Sequence, residues 1–275
     1  MDARRTPVND FVAADYLRAT VTAPKYSKGQ LSTIKDPIVD LLASPSGARD
    51  RQLLFGAHVM VYDKRAGYAF VQAQDDQYVG YVPIESLGPV QPITHQVTNL
   101  STTTYIEPSF KARDLTWLPL GARVQITGTS GRFCNTQQGW IPQEHLTDIG
   151  TPPSDPIAVA MMFLNAPYLW GGNSTLGIDC SGLVQVASRL CGLACPADSD
   201  QQFEEFGTLL PKGSTVQAGD LLFWKGHVAW VKDADTLLHA NAYHMKTALE
   251  PITSAIDRIE NQGDGPVIGH KRLVL

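Results

Sequence analysis

The feature that most restricts how this chain can fold is a weak internal repeat in its first half. Leu53-Leu54-Phe55-Gly56-Ala57-His58-Val59-Met60-Val61 lies over Leu118-Pro119-Leu120-Gly121-Ala122-Arg123-Val124-Gln125-Ile126. Gly80-Tyr81-Val82-Pro83-Ile84-Glu85-Ser86-Leu87 then lies over Gly139-Trp140-Ile141-Pro142-Gln143-Glu144-His145-Leu146, so both copies close on an aromatic, an apolar residue, a proline and a leucine. Two related small modules follow from this. Inside each copy the pattern is that of strands: Val59, Val61, Phe70 and Val71 in the first, Val124, Ile126 and Phe133 in the second. Turn segments Lys64-Arg65-Ala66-Gly67 and Gly128-Thr129-Ser130-Gly131 separate them. Short strands joined by tight turns in units of about 60 to 80 residues predict small closed β-barrels, whose apolar residues pack a core and bind no ligand.

After Leu146 the pattern changes. Thr151-Pro152-Pro153-Ser154-Asp155-Pro156 is a stiff segment that ends one module and opens another, with Ser154 or Asp155 as helix cap and Pro156 in the first helical position. The apolar run 157–164 reads as a buried helix stopped at Ala166-Pro167. A second helix is expected over 180–189, capped by Asp179, with Leu183, Val184, Ala187 and Leu190 facing inward and Gly192 as its stop. Strands are expected over 221–224, 227–231 and 237–240. The predicted organisation is therefore multidomain: an N-terminal segment plus a first barrel over 1–90, a second barrel over 91–150, and an α+β domain over 151–275.

Composition narrows the function classes. The 275 residues are 43% hydrophobic and 18% charged, which suits a globular protein with sizeable cores. Lys and Arg number 22 against 27 Asp and Glu, for a net charge of −5 without a basic run, so neither nucleic acid nor an anionic membrane is an expected partner. The run 157–164 is too short to span a bilayer. Residues 1–10 contain no apolar signal-peptide core, from which a cytoplasmic location is expected, or a periplasmic one were a leader removed. Cys134, Cys180, Cys191 and Cys195 form no paired C-x-x-C motif, which fits a reducing compartment, and Cys191-x-x-x-Cys195 has no matching pair for zinc. No metal or other cofactor is expected, and the oligomeric state is not set by these features.

The chemistry centres on Cys180, which follows Trp170-Gly171-Gly172 and begins a predicted helix. The positive end of the helix dipole and the unpaired N–H groups there favour a thiolate, so its pKa is expected to fall below the free value of about 8.5. His227 and His239 flank a predicted hairpin turn over 232–236 at an even spacing, which puts both on one face of an antiparallel pair. His227 Nε2 would then take the thiol proton while His239 accepts from the Nδ1–H and fixes the tautomer. Alone, each of these residues reads as core: a small buried thiol and two satisfied imidazoles. Their combination reads as a nucleophile, a base and an orienting group. The glycines ahead of Cys180 suit a close backbone approach to a ligand.

Tyr168-Leu169-Trp170-Gly171-Gly172, Asp179-Cys180-Ser181-Gly182-Leu183-Val184, Gly219-Asp220-Leu221-Leu222-Phe223-Trp224, Gly226-His227-Val228-Ala229 and Leu238-His239-Ala240 together resemble the consecutive blocks of the NlpC/p60 cell-wall cysteine peptidases. The resemblance spans most of 151–275 and implies a papain-like fold that hydrolyses the γ-D-glutamyl bond to a diamino acid in peptidoglycan stem peptides. It implies that Cys180 is the nucleophile, His227 the base, His239 the orienting third member, and Tyr168 a hydroxyl that reaches the active site. The two N-terminal modules resemble bacterial SH3-like domains of the branch that releases L-Ala-γ-D-Glu from free peptides with an unblocked amine. In that branch Asp198 and Ser199, Ser181 beside the cysteine, and Tyr78 of the first module match substrate-binding positions. Where the branch carries a glutamate after the glycine of the first module, this chain has Gly56-Ala57, and Pro196-Ala197 precedes Asp198 in place of the usual arginine. The expected function is hydrolysis of free stem peptides in murein recycling. The alternatives are a catalytically inactive wall-binding adaptor, and an amidase or acyltransferase on the same thiol scaffold.

Overall fold

The alternating apolar residues of the first repeat copy become one antiparallel sheet in the computed structural model, which describes residues 1–273 of the chain. Tyr68–Ala73 lies between His58–Arg65 and Val79–Pro83, with Val59, Val71 and Val82 fully buried. Arg49–Leu54 and Ile38–Leu42 extend the sheet on one side, Gln30–Ile34 and Leu87–Gly88 on the other. The segment before Gln30 is a lid on this barrel: Val12, Ala14 and Leu17 pack against Tyr62 and Phe70.

The second copy is divided between two sheets. Asp114–Pro119, Ser101–Tyr105, Gly139–Pro142, Phe133–Thr136 and Gly128–Ser130 lie side by side in that order, and His95–Val97 pairs with Arg123–Val124 and Leu146–Asp148. Its core of Val97, Leu118, Ala122, Val124 and Ile141 also takes in Phe55, a residue of the first copy. The Arg123 N–H donates to the Phe55 carbonyl at 2.9 Å, and its guanidinium reaches both oxygens of Asp75 at 2.9 Å. Gly56 is needed at this junction because its φ is +83° and a Cβ there would come within 2.1 Å of the Arg123 carbonyl oxygen. The two barrels thus share side chains and belong to one compact unit, residues 1–151, while residues 152–275 form a second.

In the second unit Asp155 accepts the Ile157 and Ala158 N–H groups and opens helix α1, Pro156–Met161. This helix is shorter than the apolar run 157–164 predicts. From Met162 onward the N–H groups bond three residues back, as in Phe163 to Ala160 and Leu164 to Met161, and Asn165 turns at a φ of 68°. The last turn tightens and ends the α-helix before the proline is reached. Helix α2, Cys180–Leu190, starts at its Asp179 cap as expected, followed by α3, Ser199–Glu205.

The remaining strands are β1 Thr208–Leu209, β2 Leu221–Trp224, β3 His227–Val231, β4 Thr236–Asn241, β5 Lys246–Pro251 and, after helix α4 Ile252–Asn261, β6 Gly269–Arg272. They form one antiparallel sheet in the order β1-β6-β2-β3-β4-β5. Register divides the side chains between two faces. Leu222, Trp224, Ala229, Val231 and Leu237 lie under Ala255 and Ile259 of α4. Leu221, Phe223, Val228, Trp230, Leu238 and Ala240 are buried on the opposite face, and α2 packs against β3 and β4. Among the described residues no helix is long and apolar enough to cross a membrane.

Candidate active site

Cys180 is placed by its neighbours on both sides. The Asp179 carboxylate accepts the Gly182 N–H at 2.7 Å with one oxygen and the Gly171 N–H at 2.8 Å with the other, tying the glycine loop to the start of α2. Gly172 is needed for packing within this loop, since a Cβ there would meet the Gly177 carbonyl oxygen at 2.4 Å.

Cys180 is 8% exposed, with its sulfur 4.0 Å from the Gly226 carbonyl just before β3. Burial pushes the thiol up to about 12 and the Asp179 carboxylate adds to this, while backbone N–H groups of Val228, Ser181 and Cys180 pull it back. The expected depression of its pKa is therefore overturned: the helix start is present, but loss of water around the sulfur outweighs it.

His227 and His239 do share a face. His239 lies opposite Ala248 on β5 and diagonally across from His227 on β3, and their rings meet with His227 Nε2 3.0 Å from His239 Nδ1. The sequence reading had the two nitrogens of His227 exchanged. Because Nε2 is engaged by His239, Nδ1 is the nitrogen that can serve the thiol. Burial, then the neighbouring His239 and Arg258, drive the His227 pKa down to about 3, with Glu250 opposing. His239 is fully buried, which lowers its pKa in spite of a hydrogen bond to Glu250 that acts the other way.

Glu250 and Arg258 are functional candidates that the sequence reading missed. Glu250 on β5 falls on the same sheet face as the two histidines, and its Oε2 lies 3.0 Å from His239 Nε2. Arg258 of α4 donates from Nε to Oε1 at 2.8 Å and from Nη2 to Oε2 at 2.7 Å. Burial alone would raise the Glu250 pKa, but the hydrogen bonds from Arg258 and His239 win and bring it to about 2. The sequence carried no usable signal: in Lys246-Thr247-Ala248-Leu249-Glu250-Pro251 alternation would turn the larger apolar residue, Leu249, inward, yet Leu249 is exposed and Glu250 buried.

Cys180, His227 and Tyr168 line a pocket of about 580 Å³, with Lys225, Asn241, Tyr243 and Arg258 also on its wall. Burial raises the Tyr168 pKa and the neighbouring Cys180 and Asp179 raise it further, so it stays a protonated hydroxyl able to donate. Ser181, Asp198 and Ser199 do not line this pocket. The Ser181 hydroxyl is 3.2 Å from Asp179 Oδ1, and Asp198 forms a capping box with Gln201 at the start of α3, where Ser199 is the first residue. Tyr78 belongs to the first unit, 4% exposed, with the Arg51 guanidinium 5.4 Å from its ring centre and Arg51 paired to Asp76 at 2.8 Å.

His239, His244 and Glu250 bring one ligand atom each within 4.8 Å of one another, a spacing that could hold a metal ion. Both Glu250 oxygens already accept from Arg258, whose fixed positive charge opposes a cation there. All four cysteines are free thiols.

With His227 held neutral to well below the usual imidazole range, kcat/KM should not fall as pH is lowered from about 7 to about 5. The sign is set by the base: a depressed pKa keeps the proton-accepting form populated as pH drops. A thiol pushed up to about 12 likewise predicts no rise through the ordinary cysteine range near about 8.5. A pH–rate profile checks both limbs, and an acid limb near about 6.5 would contradict the assignment.

Both units resemble known proteins. Residues 165–258 match the model of the NlpC/P60 family, and residues 41–87 match that of the bacterial dipeptidyl-peptidase SH3 domain. The γ-D-glutamyl-L-lysine dipeptidyl-peptidase of Bacillus cereus is 28% identical over 74% of this chain and 71% of its own length. A protein of the same name from Bacillus subtilis is 29% identical over 63% of each chain. A crystal structure of an NlpC/P60 family protein from Bacillus cereus aligns with a TM-score of 0.75, covering 90% of this chain and 100% of that one at 21% identity, which shows the shared fold.

Proposed function

This chain belongs to the NlpC/P60 family of cysteine peptidases, and from that premise we propose that it cleaves the γ-D-glutamyl bond to the diamino acid in free peptidoglycan stem peptides. The observation that carries the chemistry is the contact of His227 Nε2 with His239 Nδ1 beside a pocket that holds the Cys180 sulfur. The substrate class is supported by two relatives named γ-D-glutamyl-L-lysine dipeptidyl-peptidases and by the SH3 domain match ahead of the catalytic unit.

In this reading the Cys180 thiol passes its proton to His227 Nδ1 as sulfur attacks the γ-carbonyl carbon. The resulting oxyanion is steadied by N–H groups at the start of α2 and by the Tyr168 hydroxyl. Protonated His227 then gives its proton to the departing amine as the C–N bond breaks, leaving a thioester. Water, deprotonated by His227, attacks the thioester, and the product acid leaves with the thiol restored. Asp198, Ser199 and Ser181, which lie outside the pocket lining, are assigned to the amino end of the substrate. A role in recycling imported peptides would place the reaction in the cytoplasm.

Side-by-side digestion of L-Ala-γ-D-Glu-diamino acid tripeptide, its N-acetylated form and intact peptidoglycan tests the reading. Mass spectrometry should find the dipeptide and free diamino acid, with the unblocked tripeptide preferred by about tenfold or more in kcat/KM, the order expected for one charged contact. Cleavage of intact peptidoglycan alone would overturn the recycling role. Absence of turnover on all three would favour an adaptor, and an acyl adduct to an added amine would mark a transferase.

A further inference from the structure

The route from Arg258 to Cys180 has a direction, and the direction decides which ring nitrogen of His227 is basic. An ionised carboxylate only accepts hydrogen bonds. Glu250 holds Arg258 on both oxygens and lies 3.0 Å from His239 Nε2, so that nitrogen must carry the hydrogen. A neutral imidazole protonated on Nε2 has its lone pair on Nδ1. His239 Nδ1 therefore accepts from His227 Nε2 across their 3.0 Å contact, and the lone pair of His227 is left on Nδ1. We propose that Glu250, clamped by Arg258, is a positioning residue that sets the tautomers of both histidines and so makes His227 Nδ1 the base for Cys180.

The arrangement has few alternatives. β-Sheet register fixes where Glu250 meets His239, because Glu250 pairs with Leu237 and His239 with Ala248 on the same two strands. Arg258 comes from α4, which directly follows β5, and its Nη1 donates to the side-chain Oε1 of Gln262 at 2.8 Å. Arg258 also lies over the Tyr243 ring at 4.5 Å, so its guanidinium plane is held from a further direction. His239 is fully buried and has no water-facing route by which to change tautomer.

A glutamine at this position reverses the polarity. With its oxygen at the Oε1 position the amide accepts from Arg258 Nε alone, and the NH2 at the Oε2 position, where Glu250 accepts from both Arg258 Nη2 and His239 Nε2, faces His239 as a donor. His239 would move its hydrogen to Nδ1, His227 Nε2 would have to accept it, and His227 Nδ1 would carry a hydrogen where the thiol needs a lone pair. In a serine protease triad, where asparagine replaces the orienting aspartate, a wrong tautomer of this kind lowers kcat by about 10⁴-fold with the geometry intact.

The inference rests on the peptidase reading for its kinetic consequence only. In the wild-type protein, ¹⁵N NMR of labelled histidines should show His227 and His239 each with a protonated Nε2 and an unprotonated Nδ1 at neutral pH. In Glu250→Gln both patterns should invert, alkylation of Cys180 by iodoacetamide should slow by about 10-fold or more, and kcat should fall by about 10²- to 10⁴-fold with KM within about 3-fold. Glu250→Asp, which restores the acceptor, should recover part of the loss. The proposal is overturned if wild-type His227 carries its hydrogen on Nδ1, or if a folded Glu250→Gln protein keeps its tautomers and its alkylation rate. If Glu250→Gln does not fold, the wild-type spectrum still decides. If wild type cleaves no stem peptide, the function reading fails while the spectra and the alkylation rates still test this one.

Discussion

Cys180→Ala should lower turnover of the stem tripeptide by about 10⁴-fold or more, with the fold retained. The expectation rests on what the sulfur does and on what its removal leaves. Every covalent step needs a nucleophile on that atom, and neither Ser181 nor Tyr168 can replace it. The Ser181 hydroxyl is bound to Asp179, and the Tyr168 pKa is raised by burial and by the Asp179 carboxylate. The alanine leaves a space of one sulfur atom beside a pocket that is already open, and the Asp179 cap bonds to Gly182 and Gly171 do not involve the lost group. Cys180→Ser is the more searching variant because it keeps a polar atom in place but loses the polarisable, easily ionised sulfur. Kinetics on the tripeptide together with thermal unfolding check the pair. A Cys180→Ala protein retaining a tenth of wild-type kcat would exclude covalent catalysis at this residue.

The second large effect is on stability. Trp230→Ala should destabilise the C-terminal unit by about 3–5 kcal/mol, the usual range for removing a large aromatic side chain from a packed core. Trp230 is fully buried in the middle of the sheet, opposite Leu221 on β2 and Leu238 on β4. The void cannot close easily because both flanking positions belong to strands held by ladder hydrogen bonds on two sides. The loss would be felt at the site as well, since Trp230 is in the same strand as His227 and opposite Leu238, the residue before His239. Denaturant unfolding of wild type and variant measures the change, and a shift below about 1 kcal/mol would mean that the sheet repacks far more freely than a core of this density should.

Much of the site was legible because its logic is local. Asp179 as the cap, Cys180 as the first helical residue, and an even spacing that puts His227 and His239 on one face all follow from short-range rules, and each is realised. The barrels were legible from a repeated pattern for the same reason. Two expectations and one omission turned on long-range facts. The ionisation of Cys180 depends on how thoroughly the surrounding elements exclude water, which no helix-terminus argument contains. Which nitrogen of His227 faces which partner depends on ring orientation within the sheet, and spacing is silent about that. Glu250 and Arg258 come together because a strand and the following helix fold over one another, and neither residue stands in a recognisable motif. The early end of α1 has a smaller cause: an apolar run says which residues are buried but not how many of them keep α-helical hydrogen bonding.

Phe55 gives the N-terminal unit an unusual inheritance. Its ring completes the interior of a barrel that begins some forty residues later, and the neighbouring Gly56 admits no side chain against the Arg123 carbonyl. Neither barrel is therefore an independent cassette: one lifted out alone would show solvent an uncovered hydrocarbon ring, and the other an unplugged hole. Gene rearrangement can shuffle the pair intact, and a domain swap designed at the linker between them would have to carry this plug along.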